Sequence, residues 1–235
     1  GTGFPNAPVL IANNFITTTA SSSTGIDLYS SGNVNVYNNS VNVTAASSVA
    51  LYEYAGATNS INVVNNNFAN TGAGEVVTIY SIAAINTMDY NNLYTPGSYI
   101  ANWNSIDYID LSAYKAASGK EVNSVAYLPN FTSSTNLHTG SPWLNAKGTP
   151  LPEVIDDIDG DARDGSTPDI GADEYTPSVS ASTPLSGTYT IGGSSPNYAT
   201  FNAAVADLLL KGVSGPVTFN VATGNYQEHI IIPSI

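Results

Sequence analysis

The sequence predicts an all-β chain wound as a parallel β-helix, and three observations predict it. First, asparagine pairs recur: "ANNF" at Ala12–Phe15, "YNNS" at Tyr37–Ser40, "NNNF" at Asn65–Phe68 and "YNNL" at Tyr90–Leu93. Taken from Asn13, Asn38, Asn66 and Asn91, the steps are 25, 28 and 25 residues, a solenoid period. Second, β-type runs lie between the pairs: Ile26–Tyr29, Val34–Tyr37, Val41–Thr44, Ile61–Val64 and Val76–Tyr80. Val, Ile, Tyr and Thr dominate them and several alternate apolar with polar. Third, the alternatives lack their residues. Helical repeats need strong helix formers at 3.6-residue spacing, and leucine-rich repeats need regular Leu, whereas this stretch has few Leu and no Lys or Arg before Lys115.

Each element has a local reason. The linkers between runs are rich in Gly, Ser, Thr and Asn, which suit turns. An Asn at a tight corner tolerates left-handed backbone angles. Its amide can also bond the equivalent Asn one coil away, as amide ladders do in stacked strands. Asn13, Asn38, Asn66 and Asn91 are therefore the expected structural ladder.

Composition narrows the function. Only 10% of the residues are charged, against roughly 25% in an average domain. The net charge is -13, with five basic residues in all, so a phosphate backbone would be repelled and nucleic acid is not an expected partner. With no cysteine, disulfides and thiolate-held zinc are excluded. No apolar run reaches the roughly 18 residues of a membrane span. The opening "GTGFPNAPVL" reads as a mature fragment or one unit of something longer.

From Ser105 the chain changes character, through "SIDYIDLSAYKAASGKEVNSV", "NLHTGSPWLNAKG" and "DIDGDARDGSTPDIGADEY". The matching positions are Leu111, Tyr114 and Gly119; then Leu137, His138, Ser141 and Pro142, with Trp143 where Ala is usual; then Asp157, Asp159, Gly160, Arg163, Asp169, Ile170, Gly171, Ala172, Glu174 and Tyr175. This ordered set resembles the closing segment of secreted right-handed parallel β-helix, pectate-lyase-like surface proteins of Bacteroidota. The resemblance implies that the acidic block ends the helix. Arg163 would then bridge several carboxylates through its planar fork, Asp169 would belong to the same stop, and Ile170 and Tyr175 would plug the last coil. A stop is needed because a solenoid end is an open sheet edge.

A second module follows. Thr200 is a predicted N-cap, Phe201, Ala204, Val205, Leu208 and Leu209 share a helical face, Gly212 is a predicted stop, and strands are expected at "PVTFNV" and "HIIIPS". This stretch resembles the N-terminal cap and first coil of the same group. The expected organisation is 1–175, the end of one β-helix with its closing segment; 176–186, a Pro/Ser/Thr linker; and 187–235, the start of a next β-helix. Copies of the chain or neighbouring modules would stack head to tail, giving an open filament.

Candidate sites are few. Asp157, Asp159 and Asp161 have the spacing of a calcium loop, although an EF-hand would want glycine at position 162 and glutamate at position 168, and the chain has Ala162 and Pro168. Calcium is thus the one cofactor the sequence raises; the other readings are no cofactor and a solvated acidic turn. Tyr29, Tyr52, Tyr54 and Tyr80 either stack on each other and stiffen the coils or line a strip for surface glycans. Lyase chemistry needs a base, which the coils lack. Hydrolysis needs paired carboxylates roughly 5 to 10 Å apart, and Asp27, Glu53, Glu75 and Asp89 each stand alone in a coil. His138 reads as a hydrogen-bonding turn residue, and His229 has no visible partner. The expected function is a non-catalytic extracellular structural or adhesive repeat protein, a surface stalk, fibre or filament. The alternative is a polysaccharide-binding or polysaccharide-degrading β-helix whose active coils lie elsewhere.

Overall fold

The computed structural model describes residues 3–4, 7–54, 60–177, 184–228, 230 and 232. The chain divides into two compact units, Gly1–Pro177 and Ser178–Ile235.

The first unit is a parallel β-solenoid. Its first coil holds β1 (Val9–Ala12), β2 (Phe15–Thr18) and β3 (Thr24–Asp27), and its second β4 (Val34–Tyr37), β5 (Ser40–Val43) and β6 (Val49–Glu53). The third holds β7 (Ile61–Val64), β8 (Asn67–Asn70) and β9 (Val77–Ile79), and the fourth β10 (Ile85–Asp89), β11 (Asn92–Tyr94) and β12 (Ala101–Trp103). Equivalent strands pair in parallel, so three sheets run up the solenoid, β1-β4-β7-β10, β2-β5-β8-β11 and β3-β6-β9-β12. The expected runs thus form strands. Alternate side chains point inward and stack coil on coil: Val36 on Val63, Val41 on Phe68, Leu51 on Val77. Each such aliphatic or aromatic residue contributes roughly 1.5–3 kcal/mol on burial.

The corner between the first two sheets is asparagine, one residue out of the expected register in two coils. The left-handed position is Asn13 (φ 56°), Asn38 (φ 50°), Asn65 (φ 60°) and Tyr90 (φ 57°). The ladder is built by the residue after it. Asn14 Nδ2 donates to Asn39 Oδ1 at 2.8 Å, Asn39 to Asn66 at 3.0 Å and Asn66 to Asn91 at 3.0 Å. The same oxygens accept the backbone N–H of the residue below, from Asn14, Asn39 and Asn66. Asn66 and Asn91 are ladder residues as expected. Asn13 and Asn38 instead turn the chain and donate to outward partners, while Asn38 Oδ1 also accepts from Asn65 Nδ2 one coil away at 3.4 Å. The true steps are 25, 27 and 25.

The C-terminal end of the solenoid is closed by residues 106–125, not by the acidic block. The hairpin strand β13 (Ile106–Tyr108) pairs antiparallel with β12. Helix α1 (Leu111–Ser118) is capped by Asp110, which accepts from Ala113 N at 2.8 Å, and stops at Gly119 (φ 65°). It seats Tyr114, fully buried, against Trp103 and Tyr108, with its hydroxyl 3.5 Å from Met88 Sδ. The return then satisfies the other two edges: Glu121 N donates to Met88 O beside β10, and Val125 exchanges backbone bonds with Asn91 and Leu93 beside β11. All three sheet edges at this end therefore have backbone partners.

Residues 127–175 lie along the side of the solenoid as a strap. Asn13 Nδ2 donates to Asp156 O at 2.7 Å, Asn38 Nδ2 to Gly171 O at 3.3 Å and Asn65 Nδ2 to Thr149 O at 2.7 Å, so one segment touches three coils. Ala172 N donates to Ser40 Oγ, and Asn92 exchanges two bonds with Tyr127. Gly171 sits at φ 113°, where a Cβ would meet Ser40 Oγ at 2.8 Å, so the close approach requires glycine. On the first sheet, Val154 and Leu151 pack on outward-facing Tyr37 and Val64. This covering is why β4, β5 and β8 are buried at every residue instead of alternately.

The second unit pairs β14 (Leu185–Ile191) in parallel with β15 (Val213–Val221). Between them α2 (Phe201–Lys211) starts at Thr200, whose hydroxyl accepts from Ala203 N at 3.1 Å, and ends at Gly212 (φ 66°). Ala204 and Leu208 are buried on it. The strand expected at "HIIIPS", and His229 with it, falls mostly outside the described residues, as does the middle of the expected linker.

Candidate functional site

Two of the three solenoid faces carry the strap contacts described above. The third sheet, β3-β6-β9-β12, presents tyrosine instead. At the corner that follows it, Tyr29 stacks on Tyr54 with centroids 5.6 Å apart and planes 11° from parallel. Tyr54 meets Tyr80 edge-on at 5.7 Å, and Tyr52 meets Tyr80 at 5.8 Å. Tyr29, Tyr54 and Tyr80 meet because they occupy equivalent places in successive coils, and Tyr52, two residues before Tyr54 in the same coil at the place of Asp27 and Thr78, joins them at Tyr80. The rings do pack on each other, yet Tyr29 stays 62% exposed and Tyr54 49%.

Beside the ladder lies an open groove of about 550 Å³, lined among others by Tyr52, Tyr80, Tyr99, Glu75, Thr78 and Ser98. Thr78 Oγ1 donates to Glu75 Oε2 at 3.1 Å. Burial pushes the Glu75 carboxyl above its ordinary range; the Thr78 bond opposes this, and the nearby Asp107 carboxylate adds to it. Asp107 itself accepts from Asn102. The sequence did not couple Glu75 with Asp107, because Asp107 lies on the hairpin β12–β13 that folds back over the fourth coil. Chemically, the groove offers flat ring faces, hydroxyls and the Glu75 carboxyl, which are groups that can grip a polyhydroxylated ligand.

The acidic block is occupied with holding the strap. Asp157 Oδ1 accepts from the backbone N–H of Asp159 and Asp161, and its Oδ2 from that of Glu174. Those bonds commit both its oxygens. Of the expected calcium triplet only Asp159 joins a convergent group of donor atoms among the described residues, and its companions are His138 and Asp173. Asp169 accepts from Asn145, Ala146 N and Tyr175 N. Burial still pushes it up to about 6 against those bonds. Arg163, with its side chain 4% exposed, pairs with one carboxylate, Glu174, at 3.4 Å. Its other bonds go to Asn13 Oδ1 at 2.9 Å and Gly171 O at 3.0 Å, so it ties the strap to the first coil where several bridged carboxylates were expected. Burial pulls Arg163 below its ordinary value while Glu174, Asp157, Asp169 and Asp173 push it back. Ile170 and Tyr175 likewise belong to the lateral strap: Ile170 N donates to Leu144 O, and the Tyr175 hydroxyl donates to Ser141 O at 2.6 Å.

These features define a parallel β-solenoid repeat protein with one aromatic face. Comparison of the chain with protein families, with curated proteins and with solved structures gave no match.

Proposed function

We propose that this chain is a non-catalytic, extracellular structural and adhesive repeat protein, a β-helix module of a bacterial surface stalk or filament that holds surface glycans on its tyrosine face. The carrying observation is the asymmetry of the solenoid: the strap covers two faces, while the third shows a continuous tyrosine ladder with a groove beside it. The resemblance of the closing segment to secreted β-helix surface proteins supports the location. Stacking of modules is supported by the resemblance of the second unit to the start of a next β-helix.

A glycan array tests the adhesive part. The intact chain should bind one class of polysaccharide, and Tyr54→Ala with Tyr80→Ala should abolish that binding without unfolding the protein. Equal binding by wild type and double variant would remove the tyrosine face from consideration. Sedimentation velocity tests stacking, since an open head-to-tail assembly grows with concentration and never closes at a fixed size. The degrading alternative draws on the Glu75–Asp107 approach. Release of reducing sugar that Glu75→Gln abolishes would establish it and defeat the non-catalytic reading.

A further inference from the structure

Three donors meet where the strap folds back on itself. Nε2 of His138, a carboxylate oxygen of Asp159 and one of Asp173 lie within 4.8 Å of one another. They come from three pieces of the strap, separated in sequence by a loop each. Asp173 is only 7% exposed. The Thr139 N–H faces its carboxylate, and no side chain hydrogen-bonds to it among the described residues.

The orientation of His138 is an independent observation. Asn136 Oδ1 accepts from the backbone N–H of His138 at 3.2 Å and also faces its Nδ1. The backbone donor fixes the amide with its oxygen toward the ring, so Nδ1 carries its hydrogen. The edge contact with Phe15, 4.7 Å between centroids at 85°, holds the ring in place. Nε2 then points at Asp159 Oδ2 from 2.7 Å. Two lone pairs repel at that distance, so something positive belongs between them, either a second ring proton or a metal ion. A ring proton would lie between His138 and Asp159 and would still leave the buried Asp173 carboxylate without a hydrogen bond from any side chain among the described residues. A dication neutralises both carboxylates and takes the imidazole lone pair as well.

We infer that His138, Asp159 and Asp173 form a site for a divalent transition-metal cation of the zinc class. One imidazole nitrogen with two carboxylates suits zinc, whereas calcium takes six to eight oxygens. Donor atoms around tetrahedral zinc stand about 3.3 Å apart. The Nε2–Oδ2 pair must therefore open by about 0.6 Å, which Asp159 allows because its side chain is 53% exposed. Solvent completes the coordination on that open side. Asn136 acts behind His138, orienting the ring and raising its basicity, as outer partners of metal-bound histidines do.

The test is titration calorimetry of the full chain, stripped with a chelator and then titrated with Zn²⁺ and, separately, Ca²⁺. One equivalent of Zn²⁺ should bind with micromolar or tighter affinity, and Ca²⁺ far more weakly. Asp159→Asn and His138→Gln should each weaken Zn²⁺ by about tenfold or more, and Asn136→Ala by about tenfold. Asp161→Asn should leave binding unchanged. Asp159 and His138 are partly exposed, so these variants are expected to fold, and circular dichroism checks that they do. The proposal is overturned by no saturable Zn²⁺ binding, by Zn²⁺ binding indifferent to both ligand variants, or by a preference for Ca²⁺.

Discussion

The cap over the solenoid end, residues 106–125, and the strap along its side, residues 127–175, close the same body with opposite chemistry. The cap is mostly apolar: Leu111 and Tyr114 sit on Met88 and Trp103, and the backbone continues each sheet by one rung. The strap is mostly polar: asparagine amides, Arg163 and committed carboxylates reach across three coils. The difference follows from what each must cover. A solenoid end exposes core side chains and bare strand edges together, and only apolar groups with backbone partners satisfy both. A solenoid side already has paired backbone, so it is held by side chains that the corner residues turn outward.

This contrast can be broken most directly at Tyr114. Tyr114→Ala should cost about 4 kcal/mol, read as a shifted urea midpoint, because it opens a cavity under the cap. Next is Glu121, fully buried, whose Oε2 accepts from Asn91 at 3.0 Å at the top of the ladder. Burial pushes its carboxyl up to about 7 from an ordinary 4.5, against the bonds from Ser124 and Asn91. A raised carboxyl favours the protonated folded state, so its support is complete below about pH 4.5 and is lost as pH rises to about 7. The loss is on the order of 3 kcal/mol. Glu121→Gln should flatten that part of the stability profile, and an unchanged profile would show that the cap does not hold this charge out of water.

Arg163→Ala should cost about 3 kcal/mol, because it strands Glu174 and removes the tie to Asn13. Hydrogen exchange sharpens the comparison here: amides of 156–174 should lose protection before those of β4–β8. Simultaneous loss would make strap and coils one cooperative unit. The smallest effect is expected for Asn65→Gly, which keeps the left-handed corner but loses the bonds to Thr149. It should cost about 1 kcal/mol, read as a small downward shift of the urea midpoint, and speed proteolysis near residue 149.

Much of this was legible in the sequence. The period, most strands, Thr200 and Gly212 were readable because they depend on near neighbours. The helix α1 carried the same signals in Asp110 and Gly119. The ladder register was not readable: in "NNNF" two of three asparagines fit either role, and only cross-coil pairing tells which one turns and which one stacks. The strap is expected as an end plug only because its motifs resemble the closing segment of secreted β-helix proteins. Its true place depends on contacts such as that of Asn13 with Asp156, 143 positions apart. The tyrosine stack was legible from the period alone. The approach of Asp107 to Glu75 was not, since it needs the hairpin β12–β13.

The asparagine ladder also sets the rule by which such a body can be lengthened. Every rung presents an oxygen downward and an amide upward, so the stretch from Asn39 to the residue before Asn66 is a brick with matching faces. Copying that stretch in place would add a coil and leave cap and first coil chemically unaware of the change. Adding or removing a single residue between rungs would instead have to be absorbed outside the paired strands, as the 27-residue step already is beside the 25-residue ones. Length in this molecule is therefore quantised, and its growth is a matter of duplication more than of redesign.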